Sequence, residues 1–151
     1  MPEMGTVAAE PLRPVEDELT AFFWDGCRAG RLMIQRCAQC GYLQHWPRTV
    51  CKKCLSFDLG SAEMSGRGTL YTYTVCRQAF HPWFEDRLPY ALAVVELADQ
   101  PGLKMVSNIV GCEPDDLQVG MELEVVFERV DDRLTLPMFR PIHAPARRDP
   151  S

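Results

Sequence analysis

In the second half of the chain, apolar and polar positions alternate in short β-branched runs. Thr69–Cys76 (Thr-Leu-Tyr-Thr-Tyr-Thr-Val-Cys) and Tyr90–Leu97 (Tyr-Ala-Leu-Ala-Val-Val-Glu-Leu) predict strands, and Lys104–Val110, Glu122–Val130 and Leu134–Phe139 predict three more. Gly66-Arg67-Gly68 turns the chain into the first run and Asp131-Asp132 marks a hairpin between the last two. Glu113–Leu117, with Pro114 at the first helical position, reads as one helical turn between the third and fourth strands. Five strands with a short helix in that place follow the order of an OB-fold, a small Greek-key barrel, over residues 63–143.

The first half has a different period. Leu19, Phe22 and Phe23 fall at i, i+3, i+4, and Cys27 continues the stripe. A helix is predicted over 15–29 within a segment 14–30, opened by Pro14 and closed by Gly30, with Glu16, Asp17 and Glu18 at the positive end of its dipole. Residues 1–13 show no apolar periodicity and are expected to form a disordered arm, and 144–151 a polar tail. Arg31–Arg36 and Tyr42–Trp46 predict a strand and its return, and Phe57, Leu59 and Ala62 lead out of a unit spanning 31–62.

That unit carries the clearest chemistry. Cys37, Cys40, Cys51 and Cys54 are spaced C-x2-C-x10-C-x2-C. Two residues between cysteines let both sulfurs of one tight turn face one point, and two such turns supply the four thiolates of a structural Zn2+ site. Two disulfides and a rubredoxin-like iron site are the rivals. Met1-Pro2-Glu3 lacks the basic start and apolar core of a secretory leader, so the expected compartment is the cytoplasm, where thiols stay reduced. The short gap between knuckles favours zinc over iron. A zinc held by four thiolates has no open position, so it holds structure and does no chemistry. The predicted fold class is therefore mainly β: an N-terminal helix, a rubredoxin-like zinc ribbon, then a five-stranded OB-fold barrel.

The net charge of −5 is unevenly spread. Residues 24–58 carry Arg28, Arg31, Arg36, Arg48, Lys52 and Lys53 against Asp25 and Asp58, whereas residues 59–143 hold thirteen acids and seven bases. Part of the ribbon's positive charge answers the net −2 of a zinc tetrathiolate. Arg36, Arg48, Lys52 and Lys53 are candidates to meet a phosphate-bearing partner. The acidic barrel works against the alternative of a ribbon and OB-fold that binds nucleic acid.

Between the first two barrel strands, residues 77–89 carry Phe80, Trp83 and Phe84. Such a loop is either a lid on its own barrel or a contact surface for an apolar ligand or partner. With Leu19, Phe22 and Phe23 on the helix, these six residues are the candidate partner interface. A Cys76–His81 pair is the one nucleophile–base arrangement in view, but Cys27, Cys76 and Cys112 read first as buried small hydrophobes, and His45 as a packing or surface residue. No phosphate loop, Ser-His-Asp order or paired-carboxylate motif appears, and no residue is assigned a catalytic role.

Together, Phe23-Trp24-Asp25-Gly26, Gly30-Arg31-Leu32, Cys37-x2-Cys40-Gly41, Pro47-Arg48, Cys51-x2-Cys54, Gly66–Thr74, Pro89-Tyr90, Val110-Gly111-Cys112, Leu117-x2-Gly120-Met121, Val125-Val126-Phe127 and Phe139-Arg140-Pro141 resemble the acyl-CoA-associated zinc-ribbon/OB-fold family known as domain of unknown function 35. The likeness covers about residues 19–142. Trp46-Pro47-Arg48 stands where the family often has Pro-Pro-Arg, and Lys52-Lys53 where it often has Pro-x; neither removes a ligand. The resemblance implies a non-catalytic accessory subunit of an acyl-CoA-processing complex. The implied partner is a thiolase-fold lipid-transfer-protein-like aldolase that cleaves a β-hydroxyacyl-CoA in steroid side-chain or related lipid catabolism, in a two-plus-two heterotetramer, with Arg36, Arg48, Lys52 and Lys53 meeting CoA phosphates or the partner. A thiolase or a hotdog-fold enoyl-CoA hydratase is the alternative partner, and a CoA thioester is the implied ligand of the complex.

Overall fold

The computed structural model describes residues 9–143; the expected tail 144–151 and the first eight residues of the expected arm lie outside them. The first helix, α1, spans Ala21–Arg28 and is shorter than the predicted 15–29. The Asp17 carboxylate accepts the Thr20 amide at 2.9 Å, and the Thr20 hydroxyl accepts the Asp17 amide at 3.2 Å. This reciprocal turn satisfies backbone donors locally and delays the helix to Ala21. Residues before it run as an extended strap, tied to the body by ion pairs of Arg13 with Asp131 and of Glu16 with Arg28.

Three strands form the ribbon sheet: β1 (Met33–Cys37), β2 (Leu43–Gln44) and β3 (Leu59–Glu63), in the order β2-β1-β3. The barrel strands are β4 (Arg67–Cys76), β5 (Tyr90–Leu97), β6 (Lys104–Ile109), β7 (Glu122–Arg129) and β8 (Thr135–Pro141). They close in the order β4-β5-β6-β8-β7, all antiparallel except β6 against β8, which is the five-stranded OB-fold. A 3-10 turn at Pro114–Asp116 takes the place of the helix between β6 and β7.

Closure rests on β4, whose register shifts between Leu70 and Thr72. The bulge bends the strand, so that its first half pairs with β7 as well as β5. At the seam Gly68 faces both Leu97 and Leu123, and a Cβ there would lie 2.6 Å from the Glu96 carbonyl oxygen. Inward positions of the alternating strands form the core: Leu70, Ala91, Ala93, Val95, Leu97, Met105, Ile109, Leu123 and Phe139. α1 packs between β1, β7 and β8 and buries Phe23, Trp24 and Cys27. Gly26 permits this approach, because a Cβ would meet Met33 Cγ at 2.6 Å.

Ribbon and barrel are also joined by a side chain. Gln100, in the β5–β6 turn, accepts the Leu43 amide at 2.9 Å and donates to the Leu43 carbonyl at 2.8 Å. Its amide thus pairs with β2 as another strand would.

Candidate functional site

The four ribbon cysteines converge. Their Sγ atoms all lie within 4.8 Å of one another, with Cys37–Cys54 and Cys40–Cys51 both at 3.6 Å. Gly41 closes the first knuckle at φ +78°, its amide bonded to the Cys37 carbonyl, and Leu55 closes the second at φ +65°, its amide bonded to the Cys51 carbonyl. The Ala38 amide meets the Asp58 carbonyl and ties the two knuckles together. Amides of Cys40 and Gln39 point at the Cys37 sulfur and hold its pKa down to about 6; those of Cys54 and Lys53 lower that of Cys51 in the same way. The neighbouring sulfurs push the Cys54 thiol up to about 12, so the thiolate is favoured at the two leading cysteines only; four sulfurs at this spacing fit structural zinc and leave no place for substrate.

Two buried glutamines deliver the second knuckle to the first. Gln35 and Gln44 face each other across β1 and β2, and Gln44 donates to Gln35 at 2.6 Å. Gln35 donates to the Arg48 carbonyl and accepts the Arg48 amide, while Gln44 donates to the Val50 carbonyl and accepts the Lys52 amide. The arm leading into Cys51 thus exchanges its backbone bonds with side chains instead of a strand. Sequence reasoning missed this pair; two glutamines at inward positions of short strands were the available signal.

It also missed an aromatic cluster where helix, ribbon and barrel meet. Phe23 contacts Trp24, His45 and Trp46 at centroid distances of 4.9, 5.3 and 5.1 Å. Burial pushes the His45 imidazole down to about 4, so it is neutral at pH 7. Phe23 is only 2% exposed. The edge-on packing of α1 against Trp46 turns it inward, so of the three helix candidates it is the one covered within this chain. Leu19 and Phe22 remain half-buried at the surface.

The 77–89 loop folds as a 3-10 helix, Pro82–Arg87, capped by His81, whose Nδ1 accepts the Trp83 amide at 3.2 Å. Phe84 stacks on Tyr90 at 5.0 Å, and the Arg87 guanidinium covers Trp83 at 4.2 Å while bonding Glu128. Trp83 and Phe84 line a groove of about 230 Å³ together with Ile109, Met138, Cys112 and Leu12 of the strap. Phe80 points away, 84% exposed. The loop is thus both lid and surface.

The structure does not bring Cys76 to His81: among the described residues no hydrogen bond joins them, and Cys76 pairs with Tyr90 on β5. Burial pushes the Cys27 thiol up to about 12 and also raises that of Cys112. Arg36, Arg48, Lys52 and Lys53 all lie exposed on the ribbon. No helix among the described residues is long and apolar enough to cross a membrane.

Two family models match, one described as "ChsH2, rubredoxin-like zinc ribbon domain" over residues 24–60 and the other as "ChsH2, C-terminal OB-fold domain" over 61–128. The chain is 41% identical over 129 residues to a protein named probable enoyl-CoA hydratase alpha subunit from Thermomonospora curvata, covering 85% of this chain and 39% of that protein. It therefore spans about two fifths of that relative's length. A DUF35 domain-containing scaffold protein of Pyrococcus furiosus is 30% identical over 126 residues, 80% of this chain and 90% of that protein. Among solved structures, a chain of an assembly titled "Ltp2-ChsH2(DUF35) aldolase" superposes with a TM-score of 0.78 at 41% identity, covering 85% of this chain and 98% of that one.

Proposed function

Because the chain belongs to the ChsH2 (DUF35) family of zinc-ribbon/OB-fold proteins, we propose that it is a non-catalytic accessory subunit of an acyl-CoA-processing complex whose chemistry sits on a thiolase-fold aldolase. The observation that carries this reading is the likeness, over 98% of its length, to the chain solved in the Ltp2–ChsH2 aldolase. The site agrees with it. Four thiolates close the zinc, His81 caps a helix through its Nδ1 without bonding Cys76, and burial raises the Cys27 thiol, so no hydrogen-bonded nucleophile and base stand together among the described residues. The zinc and the glutamine pair hold the ribbon rigid, and the barrel carries the lid of Trp83 and Phe84. We assign those two, with Leu19, Phe22 and Phe80, to the contact with the enzyme, in a two-plus-two assembly. A CoA thioester is the ligand of that assembly.

A second reading has its own support: relatives named as hydratase alpha subunits include one for 3-oxo-4,17-pregnadiene-20-carboxyl-CoA from Mycobacterium tuberculosis, 33% identical over 116 residues and matched over 36% of its length. The partner is then a hydratase, and the same test separates the two. The full chain is assayed alone and after co-expression with a lipid-transfer-protein-type aldolase or with a hotdog-fold hydratase. No acyl-CoA turnover is expected alone, and cleavage is expected with the aldolase. Trp83→Ala with Phe84→Ala should lower co-purification and activity together, with zinc content unchanged. Turnover by the chain alone, abolished in Cys76→Ala or His81→Ala, overturns the proposal.

A further inference from the structure

Among the described residues, no backbone hydrogen bond joins the strap of residues 9–16 to the body. Side chains hold it instead: Arg13 on Asp131, and Glu16 on Arg28, which also donates to the Arg133 carbonyl at 2.9 Å. All four ion-pair partners are partly exposed, and a pair of this kind shifts an equilibrium only a few-fold. This light fastening places Pro11 and Leu12 along the groove that Trp83 and Phe84 line. Leu12 does not fill the groove. It stays 56% exposed, and about 230 Å³ remains open beside it.

That space has a definite chemistry. Phe84 and Tyr90 present rings stacked at 5.0 Å, and Trp83, Ile109 and Met138 add apolar surface. The two charged side chains in the lining, Arg87 and Glu128, bond each other at 3.0 Å, and the Arg87 guanidinium also covers the Trp83 ring at 4.2 Å. Asn108 donates to the Ala91 carbonyl at 3.0 Å, and the Cys112 thiol to the Glu113 carbonyl at 3.3 Å. The polar side chains of these walls are thus already partnered within the chain. A charged ligand would lose its water here with no free counter-charge to meet it, whereas a neutral apolar one would not. Volume sets the other limit. An apolar cavity of about 150 Å³ takes benzene. About 230 Å³ therefore holds roughly nine non-hydrogen atoms, the size of indole.

We propose that the groove is a binding site for a small neutral apolar molecule of one or two rings, and that the strap is its movable wall, closing on the ligand through Pro11 and Leu12. Opening the two ion pairs admits the ligand, and contact of the ligand with Leu12 then favours the closed strap. The site lies within this chain and stands apart from the accessory-subunit reading.

The test uses the full zinc-loaded chain without a partner, with isotope-labelled isoleucine and methionine methyls followed by NMR. Indole should give saturable shifts at Ile109 and Met138, with a dissociation constant near or below about 1 mM. Benzoate and benzylammonium, of similar size but charged, should bind at least tenfold more weakly. Leu12→Asp should weaken indole about fivefold, and Arg13→Glu roughly two- to fivefold, while both keep their zinc and melt as the wild type does. Cys112→Phe, which adds a ring to the lining, should abolish the shifts. No saturable shift at Ile109 and Met138, or benzoate binding as tightly as indole, overturns the proposal. Unchanged indole affinity in both strap variants overturns the strap's part in it. A capped Ala-Trp-Ala tripeptide that binds at least tenfold tighter than indole at the same methyls replaces the small molecule by a polypeptide side chain. Self-association that indole reverses replaces it by a second copy. The accessory-subunit reading is decided by co-purification and turnover, so its failure is distinct from each of these.

Discussion

Replacing Cys51 with serine should remove the metal and melt the ribbon while the barrel survives. Cys51 is fully buried, and its Sγ lies 3.6 Å from that of Cys40. A hydroxyl is a far poorer zinc ligand than a thiolate, and a structural zinc supplies on the order of 10–16 kcal/mol to a small ribbon. The ribbon has little to set against that loss. Its buried apolar side chains are Leu32, Ile34 and Leu43, at about 1.5–3 kcal/mol each. The metal therefore outweighs them together, and β2, two residues long, cannot hold the sheet. The barrel's share of the one buried cluster, around Phe139, Leu123 and Val95, sits on strands that keep their own pairing without the ribbon. Metal analysis should find one zinc per wild-type chain and almost none in Cys51→Ser. The variant should show red-shifted tryptophan emission, because Trp46 loses its packing on Phe23, together with a residual cooperative melt from the barrel. Cys112→Ser is the control and should keep the metal. A Cys51→Ser chain that holds a full equivalent of zinc and melts in one transition at the wild-type temperature would refute the reasoning.

Two other outcomes follow from the geometry. Gly68→Ala should cost roughly 1–3 kcal/mol, since its Cβ meets the Glu96 carbonyl at 2.6 Å at a seam where β4 is paired on both sides; denaturant unfolding would read this, and a wild-type midpoint would count against the closed seam. His45, lowered by burial from 6.5 to about 4, contributes stability that is fully present above pH 6.5 and is lost as pH falls toward 4, on the order of 3 kcal/mol in all. His45→Phe should flatten that part of the stability–pH curve relative to wild type, and identical slopes would show that the imidazole is not buried in the folded chain.

The metal site was legible because its information is local: spacing alone brings two sulfurs to each knuckle. The barrel strands were legible because their period is two and their β-branched runs are long, so Tyr90–Leu97 was bounded correctly and the others to within two residues. The start of α1 was not, because the Asp17–Thr20 turn competes with the helix for the same amides while the apolar stripe runs through both. The cover of Phe23 was not legible either, because periodicity identifies an apolar face without saying what packs on it; Trp46, from a distant segment, does. The same non-locality hid the Gln35–Gln44 pair and the left-handed Leu55, whose φ is fixed by the knuckle and not by the residue.

A closed cylinder has no unpaired strand, and the Gln100 amide occupies the outer side of β2. The barrel closes through short pairings, Arg67–Thr69 of β4 on β7 and Ile109 of β6 on Phe139 of β8, so free margin is confined to the stretches beyond them and, among the described residues of the ribbon, to β3. Over the rest of the surface, recognition is written in side chains rather than in main-chain hydrogen bonds. Substitutions on loops and knuckles can then change what the surface recognises with every backbone pairing left in place.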